Sequence, residues 1–276
     1  MCGLALAMVS PLAAQNRSGA AKVVRIKGAA RYTTGNNVWQ PLSVGAVVRP
    51  GTLIQTSSEK GSYLDLVLGD GEAPMPRSMP AVGAAAAAPP SDSRSYTPNG
   101  EQNVVRLYDN TILQVDKLSS METGADTVSE TQLDLQRGTI FGNVKKMSAA
   151  SRYEVKLPNG VAGIRGTIYS LSANGVVRVL VGSVVLAYVG ADGNPVTKVV
   201  MGGQQFDAKT GEITAIPDYN QKEMVKAAKE SRIGPNTPPT TFTVDHTIYF
   251  VSPTIGHNGN EGSNGPPPDD GSNEGG

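Results

Sequence analysis

The sequence predicts an all-β fold, a rolled sandwich or irregular β-solenoid of stacked hairpins, with one C-terminal helix and a disordered tail. Three observations predict it. Between residues 23 and 206 the apolar residues recur with period 2 or in short β-branched runs bounded by Gly, Asn, Asp or Pro, which is the pattern of strands and turns. The chain has 32 Gly and 19 Pro in 276 residues, more than a helical bundle tolerates, because Gly costs helix stability and Pro removes a ladder bond. One strand, turn, strand pattern also occurs three times, as V-R-L-Y-D-N-T-I-L from Val105, L-D-L-Q-R-G-T-I-F from Leu133 and V-R-V-L-V-G-S-V-V from Val177. Asn110, Gly138 and Gly182 hold the same place in the three copies, and Gly and Asn are the residues that most readily accept a positive φ in a tight turn. The second and third copies lie 44 residues apart, and Y-E-V-K-L-P from Tyr153 meets T-K-V-V-M-G from Thr197 at the same offset. Repetition of this kind suggests stacked hairpins.

Along the chain, residues 1–14 read as a signal peptide, with an apolar run from Leu4 that ends in small residues before Gln15 and is too short to span a bilayer. The only cysteine, Cys2, would leave with it, so the mature chain could form no disulfide. The β domain is expected over 21–207. Leu64, Leu66 and Leu68 alternate around Asp65 and Val67, which predicts one dry and one wet face for that strand; Tyr153, Val155 and Leu157 do the same around Glu154 and Lys156. Residues 176–180 and 184–189 are apolar almost throughout and read as strands covered on both faces. A Pro- and Ala-rich insertion over 72–102 has no amphipathic period and reads as a loop. Residues 218–233 are expected to form the helix, with Met224, Ala227, Ala228 and Ile233 on one side and Gly234-Pro235 as its stop. Residues 234–255 supply a Pro-rich linker and a strand, and 256–276 a disordered tail.

The residues also carry a resemblance. V-W-Q-P-L-S-V-G at 38–45, R-P-G-T-L-I-Q-T at 49–56, Y-L-D-L-V-L-G-D-G at 63–71, L-Y-D-N-T-I-L at 107–113 and, most specifically, V-A-G-I-R-G-T-I-Y-S-L at 161–171 stand in order and are followed by a closing G-G-Q-Q. Over residues 21–206 the chain resembles the FecR domain family, an exported all-β module named for the transmembrane regulator of iron-citrate uptake. The resemblance implies a periplasmic or cell-surface module. In the transmembrane members that module passes a signal from an outer-membrane receptor to a cytoplasmic sigma factor, by way of an anti-sigma segment and a membrane helix that precede the β domain. The expectation here is a stand-alone exported FecR-type domain with no transmembrane anchor.

Function is expected to be non-enzymatic. With 24 Lys and Arg against 24 Asp and Glu there is no basic excess for a phosphate backbone, so nucleic acid is not an expected partner. Two histidines, His246 and His257, do not make a zinc cluster, and no nucleophile, metalloprotease or phosphate-loop motif is present. No metal or cofactor is expected. The wet faces place Asp65 and Asp134 as solvated carboxylates, and Trp39 reads as a core anchor or a sugar-stacking platform. Gly163, Arg165, Gly166 and Thr167 of the signature are expected to be structural, the glycines allowing close backbone approach and Arg165 satisfying carbonyls or a carboxylate. The expected function is a protein-binding or signal-relay module of the bacterial cell envelope, with a structural or glycan-binding envelope component as the alternative. Its expected partner is another envelope protein, contacted through Phe242, Val244, Ile248 and Phe250, which share one face of the strand at 241–251. That strand either docks on a partner or closes the sheet of its own chain.

Overall fold

The computed structural model describes residues 16–36, 38–69, 103–123, 126–190 and 193–231. The expected signal peptide, the 72–102 insertion, the end of the helix beyond Ser231, the linker and strand at 234–255 and the tail lie outside these described residues. In chain order the strands are β1 (Asn16–Ser18), β2 (Ala21–Lys27), β3 (Ala30–Thr33), β4 (Gln40–Pro41), β5 (Val47–Val48), β6 (Thr52–Thr56) and β7 (Tyr63–Leu68) before the insertion. After it come β8 (Asn103–Tyr108), β9 (Ile112–Glu122), β10 (Thr127–Arg137), β11 (Thr139–Asn143), β12 (Arg152–Leu157), β13 (Gly160–Ile164) and β14 (Ile168–Ser172). The set closes with β15 (Val176–Val181), β16 (Ser183–Val189), β17 (Pro195–Met201), β18 (Gln204–Asp207), β19 (Glu212–Ala215) and the helix α1 (Asp218–Glu230).

These strands make two sheets. Sheet 1 has the order β17-β16-β13-β12-β10-β9-β6-β3-β4, with β1 added to β9, and sheet 2 the order β19-β18-β15-β14-β11-β8-β7-β2-β5. Hairpins alternate between them: β7 and β8 pair in sheet 2, β9 and β10 in sheet 1, β14 and β15 in sheet 2, β16 and β17 in sheet 1. The expected architecture of stacked hairpins is therefore present. One single strand, β11, breaks the alternation by crossing to sheet 2 alone, so the chain returns to sheet 1 in its original direction. For that reason β10 and β12 pair in parallel while every other pair of described strands is antiparallel. Between the sheets the period-2 residues interlock in one core, in which Ile54, Leu66, Leu107, Leu133, Tyr169 and Phe206 are fully buried.

The threefold sequence pattern marks corners, not hairpin tips. β8 passes to β9, β10 to β11 and β15 to β16, each time from one sheet to the other, and the turn residues Asn110, Gly138 and Gly182 have φ of 54°, 82° and 89°. The left-handed conformation expected at these positions is thus present in all three, Asn110 being the sole non-Gly case among the described residues. The offset of 44 residues therefore does not repeat a rung. It superposes a corner that leaves sheet 1 on a corner that leaves sheet 2. Hydroxyls tie successive corners together: the Thr111 amide donates to Thr56 Oγ1 at 2.9 Å, the Thr139 amide to Thr111 Oγ1 at 3.1 Å, and Thr139 and Ser172 hydroxyls meet at 3.1 Å. Buried backbone groups that leave the ladder at a corner are satisfied in this way.

Two strand expectations are corrected by burial. β7 has no wet face: Asp65 and Val67, on the outward side of sheet 2, are 0% and 1% exposed. β16 is not covered twice, since Val185, Ala187 and Val189 on the outward side of sheet 1 are exposed. The physical reason lies in α1. It lies on sheet 2, where Met224 and Ala227 pack with Phe141 and Ile216, and no described element lies on β16. The helix starts at Asp218 and ends at Glu230, with Asp218 in its first turn and Ser231 as its C-cap.

Candidate functional site

The outward face of sheet 2 holds a row of charges that β-sheet register brings together. Arg25 of β2, Asp65 of β7 and Arg106 of β8 are successive cross-strand partners. Asp65 accepts from Arg106 Nε at 2.7 Å and Nη2 at 2.9 Å, and from Arg25 Nη1 at 2.9 Å. The fourth member comes from the last residue of α1: Arg106 Nη1 donates to Glu230 Oε2 at 2.6 Å, and Arg25 Nη1 to the Glu230 carbonyl at 3.1 Å. The Tyr63 ring lies 4.2 Å from the Arg106 guanidinium. Burial alone would disfavour the Arg106 charge, but Asp65 and Glu230 outweigh it and hold its pKa above the ordinary arginine range. Nearby, burial pushes the Tyr108 phenol up to about 12.

This row is a clamp between sheet and helix. An acidic residue at the last helical position opposes the helix dipole, and here two guanidiniums offset it. Each carboxylate oxygen of Asp65 is bonded, and no buried side-chain nitrogen or oxygen among the described residues lacks a partner. The clamp is thus satisfied internally and offers no open group for chemistry. Asp65 is not the solvated carboxylate expected, and Asp134 stands apart from it in sheet 1. Arg25, Arg106 and Glu230 were not singled out by the sequence reading. The one available signal was Glu230, an acid at the end of a helix where a base is the norm.

The signature residues sit at the corner from β13 to β14. Gly166 has φ of 66°, and a Cβ there would stand 3.0 Å from Lys146 Cα, so both turn and packing call for glycine. Thr167 is buried and donates to the Ser183 carbonyl at 2.9 Å, tying this corner to the next. Gly163 lies in β13 with no positive φ, and a Cβ on it would make only an ordinary contact with the Val185 carbonyl. Arg165 is exposed, so it does not fill the carbonyl- or carboxylate-binding place expected for it. Arg165-Gly166-Thr167-Ile168 repeats the Arg137-Gly138-Thr139-Ile140 corner, a fourth copy of the pattern. Trp39 is half-buried outside the apolar core, with the Arg31 guanidinium 4.3 Å from its ring centre. Phe242, Val244, Ile248, Phe250, His246 and His257 lie outside the described residues.

Residues 93–185 match the family model described as FecR protein. The match takes in 93 of the chain's 276 residues. No curated protein matches the chain. Two crystal structures described as candidate anti-sigma factors from Parabacteroides distasonis ATCC 8503 are similar to it, each with a TM-score of 0.33. The first has 18% identity over 47% of this chain and 57% of that one, the second 15% over 54% and 75%. The chain therefore spans a little over half the length of the first.

Within the matched segment lie Arg106, both Arg-Gly-Thr-Ile corners and the first three residues of β16. Arg25, Asp65 and α1 lie outside it, so the clamp joins the matched strands to what flanks them. At the other sheet the domain shows two unlike outward surfaces. On β9, β10 and β12 ion pairs cover the face, Lys156 with Asp116 at 2.8 Å and Lys117 with Glu130 at 2.6 Å. On β13, β16 and β17 the outward residues Val161, Val185, Ala187, Val189, Val199 and Met201 are all exposed, with Lys156 of β12 paired to Val161 at the edge of the group. Among the described residues no group of His, Cys, Asp and Glu could hold a metal ion, and no helix is long and apolar enough to cross a membrane.

Proposed function

We propose that the chain is a non-enzymatic protein-binding or signal-relay module of the bacterial cell envelope, exported to the periplasm or cell surface. The observation that carries this reading is the FecR match at residues 93–185, because the family implies regulatory proteins that act by touching other envelope proteins. The clamp supports it. Glu230 is fixed to Arg25 and Arg106, and Ser231 accepts a hydrogen bond from Asn143 at 3.1 Å, so the chain leaves the domain from an anchored point. Beyond that point the strand at 241–251 presents Phe242, Val244, Ile248 and Phe250 to another envelope protein. The glycan-binding alternative is not favoured, since the Trp39 ring is already stacked by Arg31.

The test is capture from envelope extract with the full chain as bait, beside a chain carrying Phe242→Asp and Phe250→Asp. The reading expects a specific envelope protein on the parent bait that is lost from the variant, with both baits melting at the same temperature. Equal capture by both removes the 241–251 strand from the contact, and a variant Tm lower by several degrees assigns that strand to the fold instead.

A further inference from the structure

We infer that α1 is a latched cover that opens on its own while the sandwich beneath it stays folded. Opening moves the point where the chain leaves the domain from the middle of sheet 2 to its β19 edge. The buried apolar residues form two separate clusters. The core between the sheets contains no residue of α1, whereas Met224 and Ala227 pack with Phe141 and Ile216 in a small cluster of their own. Met224 and Ala227 are the buried residues among the thirteen of the helix. Lifting α1 therefore leaves the interlocked core whole, and a segment with so little burial of its own opens at less cost than the whole domain.

The helix is attached at its two ends. At the first, the Ile216 amide donates to the Gly203 carbonyl at 3.0 Å, and the chain itself ties the helix to β19. At the second, Glu230 accepts from Arg106 with its carboxylate and from Arg25 with its carbonyl, and Ser231 accepts from Asn143. These last bonds are made when the helix lies on the sheet. Off the sheet, a helix of thirteen residues is too short to hold its shape in water. No side chain caps its first turn at Pro217, and Glu230 at its last position opposes the helix dipole. The latch thus makes docking and helix formation one two-state event. Closed, the chain departs from Ser231 beside β11. Open, it departs from Ile216 after β19, and the fifteen residues at 217–231, which span ~20 Å as a helix, can extend to ~50 Å. Opening also bares Phe141, Ile168 and Leu180, which pack in the helix's cluster from β11, β14 and β15.

Hydrogen exchange of the full chain, followed amide by amide, tests this, and it needs no partner, so its outcome is separate from that of the capture experiment. In the parent the amides at 222–230 should exchange together, about ten-fold or more faster than those of β8, β11 and β14 beneath them. Glu230→Ala should speed the helix amides by a further factor of about ten or more, the scale of one lost hydrogen bond to a charged group, and leave those strands within about three-fold. Alanine is the better helix former and removes an adverse charge from the helix C-terminus. A helix held by its own propensity would therefore slow its exchange in this variant, whereas a latched one must speed it. Lys226→Ala, on the exposed side of α1, should not speed it. Helix amides that exchange in the parent only as slowly as the strands beneath overturn the proposal. So does a Glu230→Ala chain in which the helix slows or is unchanged, or in which the strands accelerate as much as the helix.

Discussion

β7 places Asp65 and Val67 on the outward side of its sheet, and both are buried; β16 places Val185, Ala187 and Val189 on the outward side of the other sheet, and all three are exposed. Read by their own sequences, the two strands would have the opposite fates. β7 alternates leucine with an acid, as a half-solvated strand does, while β16 is apolar at nearly every position. The difference teaches that a strand's second face is covered or left open by what the rest of the chain lays over it. On sheet 2 the charge of Asp65 belongs to the cover, because Arg25 and Arg106 flank it and Glu230 closes the row. On sheet 1 nothing described covers the valines, and they stay exposed.

The largest effect should come from breaking the cover at its centre. Asp65→Ala leaves two buried guanidiniums without their shared carboxylate, and removing one partner from a buried ionic cluster costs about 3–5 kcal/mol. Denaturant unfolding should show the loss, and hydrogen exchange should show α1 released first, because Glu230 loses its ordered arginines. A loss below about 1 kcal/mol would mean that the cluster behaves as a solvated surface pair and that β7 is less covered than its exposure says.

A smaller effect should appear with pH. The Tyr108 phenol on the covered side is pushed up to about 12 by burial, and burial raises those of Tyr153 and Tyr169 in the core as well. An unfolded tyrosine ionises near ~10. Since the folded values are higher, the neutral phenols contribute stability fully below ~10, and it is lost as pH rises through the folded values. Melting temperatures should thus be flat towards pH ~9 and fall steeply above ~10, and Tyr153→Phe should lessen the slope. The exposed valines of β16 have no such dependence, so Val185→Thr should leave the whole profile unchanged.

The sequence showed the strands, the helix and the corners well, because each rests on local chemistry. Asn110, Gly138 and Gly182 are residue types that accept the positive φ of a tight turn, and Met224 and Ala227 share a helical face whatever they pack on. The sense of each corner was not legible, since a tight turn within a sheet and a turn between sheets use the same residues. Asp65 was misplaced for a related reason. Its partners Arg25 and Arg106 lie 40 and 41 residues away, the Glu230 that shares them lies 165 away, and no spacing rule connects them. Of the signature, Gly166 takes a left-handed φ, Thr167 donates to the Ser183 carbonyl and Arg165 is exposed. The residues expected to touch a partner lie beyond Ser231, outside the described chain.

The comparison is tested most directly by the same substitution on both strands. Val67→Lys and Val185→Lys each put an ammonium at an outward valine, one 1% exposed and the other 47%, and both can be unfolded in denaturant. The account predicts that Val67→Lys loses about 3 kcal/mol or more, the scale of a buried unpaired charge, while Val185→Lys stays within about 0.5 kcal/mol of the parent. Equal losses, or a larger loss at Val185, would contradict it.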